Sequence, residues 1–131
     1  MKGLDTNLLV RYLVRDDPVQ AAAARRFIFQ NCTPQAPGFV NRIVVCELVW
    51  VLESRYKLER GQIVGALAEL LEAEQLLFED EEDLRAAVAR YREGADLADS
   101  LLAAVNRRAG CDYTATFDRK AGRLEGFRVL R

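Results

Sequence analysis

Apolar residues gather in short runs that alternate with longer amphipathic stretches, a pattern that predicts short strands interleaved with helices. Around Gly3-Leu4 the chain reads as a strand, and Asp5-Thr6-Asn7 offers capping chemistry ahead of a helix over Leu8 to Val14. Asp16-Asp17-Pro18, with proline at an early helical position, opens an alanine-rich helix through Phe29. Pro34 to Pro37 is a loop. Gly38-Phe39-Val40 is a strand before a long helix from Asn41 to Tyr56, a further helix covers Glu59 to Glu72, and Leu76-Leu77-Phe78 is a third strand. Acidic Glu79 to Asp83 caps a helix running to Arg92 and broken at Gly94; Ala95 to Ala109 is helical and stops at Gly110. Tyr113 to Phe117 and Gly126 to Leu130 are β-prone.

Strands alternating with helices indicate an α/β sandwich, a parallel sheet covered on its faces. In such sheets ligands bind beyond the carboxyl ends of the strands, where Asp5 and Asp118 fall. No repeat, low-complexity tract or linker divides the 131 residues, half of them apolar, so a single domain over 1–131 is expected.

The net charge of −1 argues against a general electrostatic grip on nucleic acid. Nearly all the positive charge is arginine, in small groups (Arg25 with Arg26, Arg90 with Arg92, Arg107 with Arg108, Arg119 with Lys120) that either line one local groove or form solvated helix faces. The chain has no histidine, which removes Ser-His and Cys-His catalysis and most zinc and haem chemistry. Its three cysteines, Cys32, Cys46 and Cys111, are widely spaced. Cys46, between Val45 and Glu47, reads as a buried small hydrophobe suited to a reducing compartment. No signal-peptide pattern opens the chain and no segment approaches a membrane span, so a soluble, cytoplasmic protein is expected.

Four acids carry the chemistry. Glu47 lies in Ile43 to Leu52, a helix apolar on almost every face, with Ile43, Val44, Trp50 and Val51 as its helical neighbours. A lone carboxylate buried there would cost several kcal/mol. Either an arginine or a metal ion must then face it. Asp96 and Asp99 share one face at the start of their helix; Asp96 suits capping and metal support alike, and Asp99, a turn further in beside small residues, is the better ligand. Asp118 follows Thr114-Ala115-Thr116-Phe117, and on its own would be an ordinary turn residue. Asp5, Glu47, Asp99 and Asp118 converging on one pocket would not all stay ionised without a cation, and carboxylate oxygens favour a hard ion such as Mg²⁺ or Mn²⁺.

In this order Asp5-Thr6-Asn7, Cys46 to Leu52, Ala98-Asp99-Ser100-Leu101-Leu102-Ala103-Ala104 and Thr114 to Asp118 resemble the PIN-domain ribonucleases, and more closely the VapC toxins of type II toxin–antitoxin pairs. The resemblance covers essentially the whole chain. It implies a PIN-like α/β/α sandwich with a short, mainly parallel central sheet, and a catalytic, metal-holding set of Asp5, Glu47, Asp99 and Asp118. Asp96 matches an additional metal-site acid of close relatives, Thr6 and Thr116 match supporting hydroxyls, and Asn7 a small polar position. The implied activity is endonucleolytic RNA cleavage by an Mg²⁺- or Mn²⁺-activated water, leaving a 5′-phosphate and a 3′-hydroxyl. The implied partners are the RNA, a VapB-like antitoxin and a second copy in a homodimer. Leu8, Leu9, Tyr12, Leu13, Phe27, Trp50 and Tyr56 either supply an antitoxin groove or belong to the core.

Two rival readings differ at Asp5. A haloacid-dehalogenase-like phosphatase uses a second aspartate two positions on, where this chain has Asn7, and a receiver-type phosphoacceptor carries paired acids after its first strand, where Thr6 and Asn7 stand here.

Overall fold

Four of the helices start on a side chain that the sequence supplies for the purpose. Asp5 accepts the Leu8 N–H (3.0 Å), Asp17 that of Gln20 (3.0 Å), Asn41 that of Val44 (2.9 Å) and Asp96 that of Asp99 (3.0 Å). The computed structural model, which describes residues 1–131, has the order β1 (Lys2–Gly3), α1 (Thr6–Leu13), α2 (Pro18–Asn31), β2 (Gly38–Val40), α3 (Arg42–Ser54), α4 (Arg60–Glu72), β3 (Leu76–Phe78), α5 (Glu81–Arg92), α6 (Leu97–Arg108), β4 (Thr114–Thr116), a 3₁₀ turn (Ala121–Arg123) and β5 (Phe127–Val129). Nearly every expected element is present within a few residues. The long apolar helix stops at Ser54, and α6 begins at Leu97 because Asp96 is its cap. The 3₁₀ turn was not expected, since three residues are too short to show a period.

The strands pair only in parallel, in a three-stranded sheet of order β1-β2-β3 and a two-stranded sheet of β4 and β5. This is the short parallel sheet flanked by helices that the PIN-like α/β/α reading expects, with the ladders in two groups. The chain forms two compact units, Met1–Glu81 and Glu82–Arg131.

In the first unit α1 packs on α2 and α3, α3 on α4, and α4 on β3. Val44, Val45, Leu48, Val49 and Leu52 of α3 are buried, as are Ile63, Val64, Leu67 and Leu70 of α4. Cys32 is the buried thiol; Cys46, expected in that role, is half-buried and Cys111 is exposed, because Cys46 stands at the margin of the buried stripe of α3. Of the residues considered for a partner groove, Leu9 is core and Trp50 is exposed. In the second unit Leu84, Ala87, Val88 and Tyr91 of α5 and Leu97, Ser100, Leu101 and Ala103 of α6 are buried, and β5 packs on the 3₁₀ turn. No helix is long and apolar enough to cross a membrane.

Gly38 leaves no space for a side chain. A Cβ there would stand 2.8 Å from Leu4 Cδ1 and 3.0 Å from Cys32 Sγ. Gly38→Ala is therefore expected to lower stability by about 1–3 kcal/mol. Gly65, exposed in α4 with nothing within 4 Å of such a Cβ, should gain up to ~1 kcal/mol from alanine. Urea midpoints of the two variants, one falling and one rising, check the contrast.

Candidate active site

At the carboxyl edge of the three-stranded sheet, β1 ends and Asp5 turns the chain into α1. Its backbone is extended and its Oδ1 accepts the Leu8 N–H. Thr6, the first residue of α1, donates its hydroxyl to Glu47 Oε1 across 3.1 Å, tying α1 to α3. Asn7 is exposed and lines a shallow cleft with Leu8, Arg11 and Phe27. Other acids of this edge are already neutralised: Glu79 accepts both the backbone N–H and the guanidinium of Arg42, and Asp80 lies 3.4 Å from the same guanidinium.

Glu47 is exposed, which corrects the expectation that it is buried. The buried stripe of α3 runs along Val44, Val45, Leu48 and Leu52, so Glu47 looks outward with Ile43 and Trp50, which are 67% and 65% exposed. These three follow one another at spacings of four and three, one above the next on the helix. An apolar run this continuous hides which side faces the core, and the seclusion inferred from neighbouring residue types did not follow.

In the second unit Asp96 caps α6 through Oδ2, and the buried Ser100 hydroxyl donates to the Asp96 carbonyl at 3.0 Å. Asp118 follows β4 and holds the start of the 3₁₀ turn, its Oδ1 accepting the Lys120 N–H at 2.8 Å and the Ala121 N–H at 3.3 Å. Thr116 Oγ1 in turn accepts the Asp118 N–H at 3.0 Å, so this hydroxyl holds the backbone that carries the acid. Asp99, half-buried in the first turn of α6, has its carboxyl pKa pushed above the usual value, first by burial and then by the charges of Asp96 and Asp118, with Lys120 opposing.

The chain thus brings together Asp5, Thr6 and Glu47 in its first unit, and Asp96, Asp99, Asp118 and Thr116 in its second. No three acidic or cysteine side chains are grouped as a ready metal site. The donor chemistry nevertheless fits a hard cation. Asp5, Glu47, Asp96 and Asp118 each have one oxygen engaged by an N–H or hydroxyl, while the other makes no hydrogen bond or ion pair; both oxygens of Asp99 are free. A carboxylate held by one oxygen is oriented before any ligand arrives, and a cation beside Asp99 would relieve the crowding of like charge there.

Arg123 was missed among the groups of basic residues. It lines a cleft of the second unit with Arg90, Lys120, Asp96 and Asp99. A usable signal lay in the charge of the last stretch: between Arg107 and Arg131 the chain has seven basic residues against three acids, Asp112, Asp118 and Glu125.

A model of the PIN domain matches residues 3–126, through both units and all the acids described, and the chain belongs to the PIN domain family. Members of that family are typically nucleases that use divalent metal ions. No curated protein matches the chain.

Proposed function

We propose that this protein is an endoribonuclease of the VapC toxin kind, with residues 1–131 acting as one PIN domain that uses Mg²⁺ or Mn²⁺ to cut RNA phosphodiester bonds in the cytoplasm. The observation that carries the reading is the set of carboxylates oriented through one oxygen and open at the other, in the motif order of that family. Asp5, Glu47, Asp99 and Asp118 are the proposed cation-holding residues, with Asp96 as an additional one. When bound, the cation lowers the pKa of an attacking water and offsets the charge of the scissile phosphate.

The remaining work falls to the chain. Thr6 holds one oxygen of Glu47, Thr116 fixes the turn that presents Asp118, and the α1 amide holds Asp5 at one angle. Water attack on phosphorus with departure of the 3′ oxygen leaves a 5′-phosphate and a 3′-hydroxyl. A VapB-like antitoxin and a second copy of the chain are the proposed protein partners; exposed Phe29, Ile43 and Trp50 are apolar ground that supports a protein contact.

Purified protein is expected to fragment a pool of cellular RNA with Mg²⁺ or Mn²⁺ and to stop when the metal is chelated. Expressed alone it should arrest growth. Intact RNA under every metal condition, from folded protein, would overturn the nuclease reading; cleavage without growth arrest would overturn the toxin role alone.

A further inference from the structure

The cleft of the second unit, about 300 Å³ in volume, is lined by both acidic and basic side chains. Glu93, Asp96 and Asp99 supply the acids; Arg90, Lys120 and Arg123 supply the cations. Elsewhere in this chain arginines that meet carboxylates pair with them: Arg11 with Asp16, Arg42 with Glu79, Arg108 with Asp83. None of the three cleft cations forms an ion pair, although acids line the same cleft.

The fold itself holds two of them together. Lys120 is the cap of the 3₁₀ turn and Arg123 its last residue, and in a helix of three residues per turn positions three apart lie one above the other. Asp118 anchors the start of the turn, while Gly122 sits so close to Val129 of β5 that no Cβ fits between them. Two like charges are thus kept on one side of the turn, and an anion lying between them relieves their repulsion. Arg90 joins the cleft lining from the last turn of α5.

We propose that Arg90, Lys120 and Arg123 grip a phosphate of the RNA strand neighbouring the one that is cut, and so set the register of the strand against Asp99. This rests on the nuclease reading. The grip is to the backbone, so it positions RNA of any sequence and reads no base.

Lys120 and Arg123 are exposed, and replacing them removes no core packing. Lys120→Gln and Arg123→Gln, singly and together, are tested on short fluorescent RNA oligonucleotides of two unrelated sequences. The double variant should raise KM about five- to tenfold, alike for both sequences, with kcat within twofold. The slope of log affinity against log salt should fall by about 0.7 for each phosphate that the variant no longer neutralises. Arg123→Lys should restore most of the affinity. Wild type that cleaves, with KM and salt slope unmoved in the double variant, overturns the phosphate grip and leaves the nuclease intact; so does a loss confined to kcat. RNA bound but not cut, with the slope still reduced in the variant, keeps the grip and overturns the nuclease. Wild type that neither binds nor cuts RNA overturns both.

Discussion

Replacing Asp99 by asparagine is expected to abolish metal-dependent RNA cleavage and, in metal-free protein, to raise the melting temperature. The two effects have one cause. Folding carries the Asp99 carboxyl into a half-buried place beside Asp96 and Asp118, which raises its pKa above the usual 3.8. A carboxyl whose pKa is higher folded than unfolded binds protons more readily in the native state, so its contribution to stability is complete below pH 3.8 and is lost as pH rises through the folded value. At neutral pH the ionised group therefore opposes folding. Asparagine keeps the shape and removes the charge. The gain should be modest, below about 1 kcal/mol because solvent still reaches the carboxylate, and it should vanish at pH 3. Cleavage should fall by more than about 100-fold, beyond the 10–100-fold typical of losing only an outer partner of a metal ligand. Saturating Mg²⁺ should raise the melting temperature of wild type and not that of the variant, since an ion at 100 times its Kd adds about 2.7 kcal/mol. Thermal melts at pH 7 and pH 3, with and without Mg²⁺, separate these effects. Retained cleavage in Asp99→Asn would remove this residue from the mechanism.

Substitution of Asp5 should divide chemistry from architecture. Asp5 Oδ1 caps α1 through the Leu8 N–H and its other oxygen is open, so one residue serves both ends. Asparagine caps a helix about as well as aspartate, and Asp5→Asn is expected to fold normally while losing cleavage by more than about 100-fold. Asp5→Ala should lose cleavage equally and, in addition, about 1 kcal/mol of stability with the cap. Urea denaturation beside an RNA cleavage assay distinguishes the pair. Equal stabilities would mean that the cap contributes nothing; active Asp5→Asn would mean that its charge is not needed.

How far the chain could be read in advance depended on how local each decision is. Helix starts at Asp5 and Asp17 rest on a side chain and an amide three residues on, and those were legible. So were the strands Gly38–Val40 and Leu76–Phe78, each an apolar run between turn residues. The outward direction of Glu47 was not, because α3 offers apolar side chains all round and the choice of buried side belongs to the helices that cover it. Asp96 and Asp118 show why the structural and catalytic explanations could not be separated beforehand: each holds a backbone amide with one oxygen and leaves the other open. Nor could Arg123 be placed, since its alignment with Lys120 depends on a turn of three residues set against β5.

Gly38 and Phe39 are paired with Lys2 and Gly3 on one side and with Leu76 and Leu77 on the other, so the two ladders of the first sheet meet along two residues of β2. Each ladder closes a loop that contains a pair of helices, at an entropic cost on the order of 3 kcal/mol before its few hydrogen bonds form. Strands this short cannot recruit one another from an open chain. The helix pairs α1–α2 and α3–α4 must collapse first and deliver the strand ends to each other, which makes sheet closure along β2 a late event and assigns the folding rate of this unit to its helices.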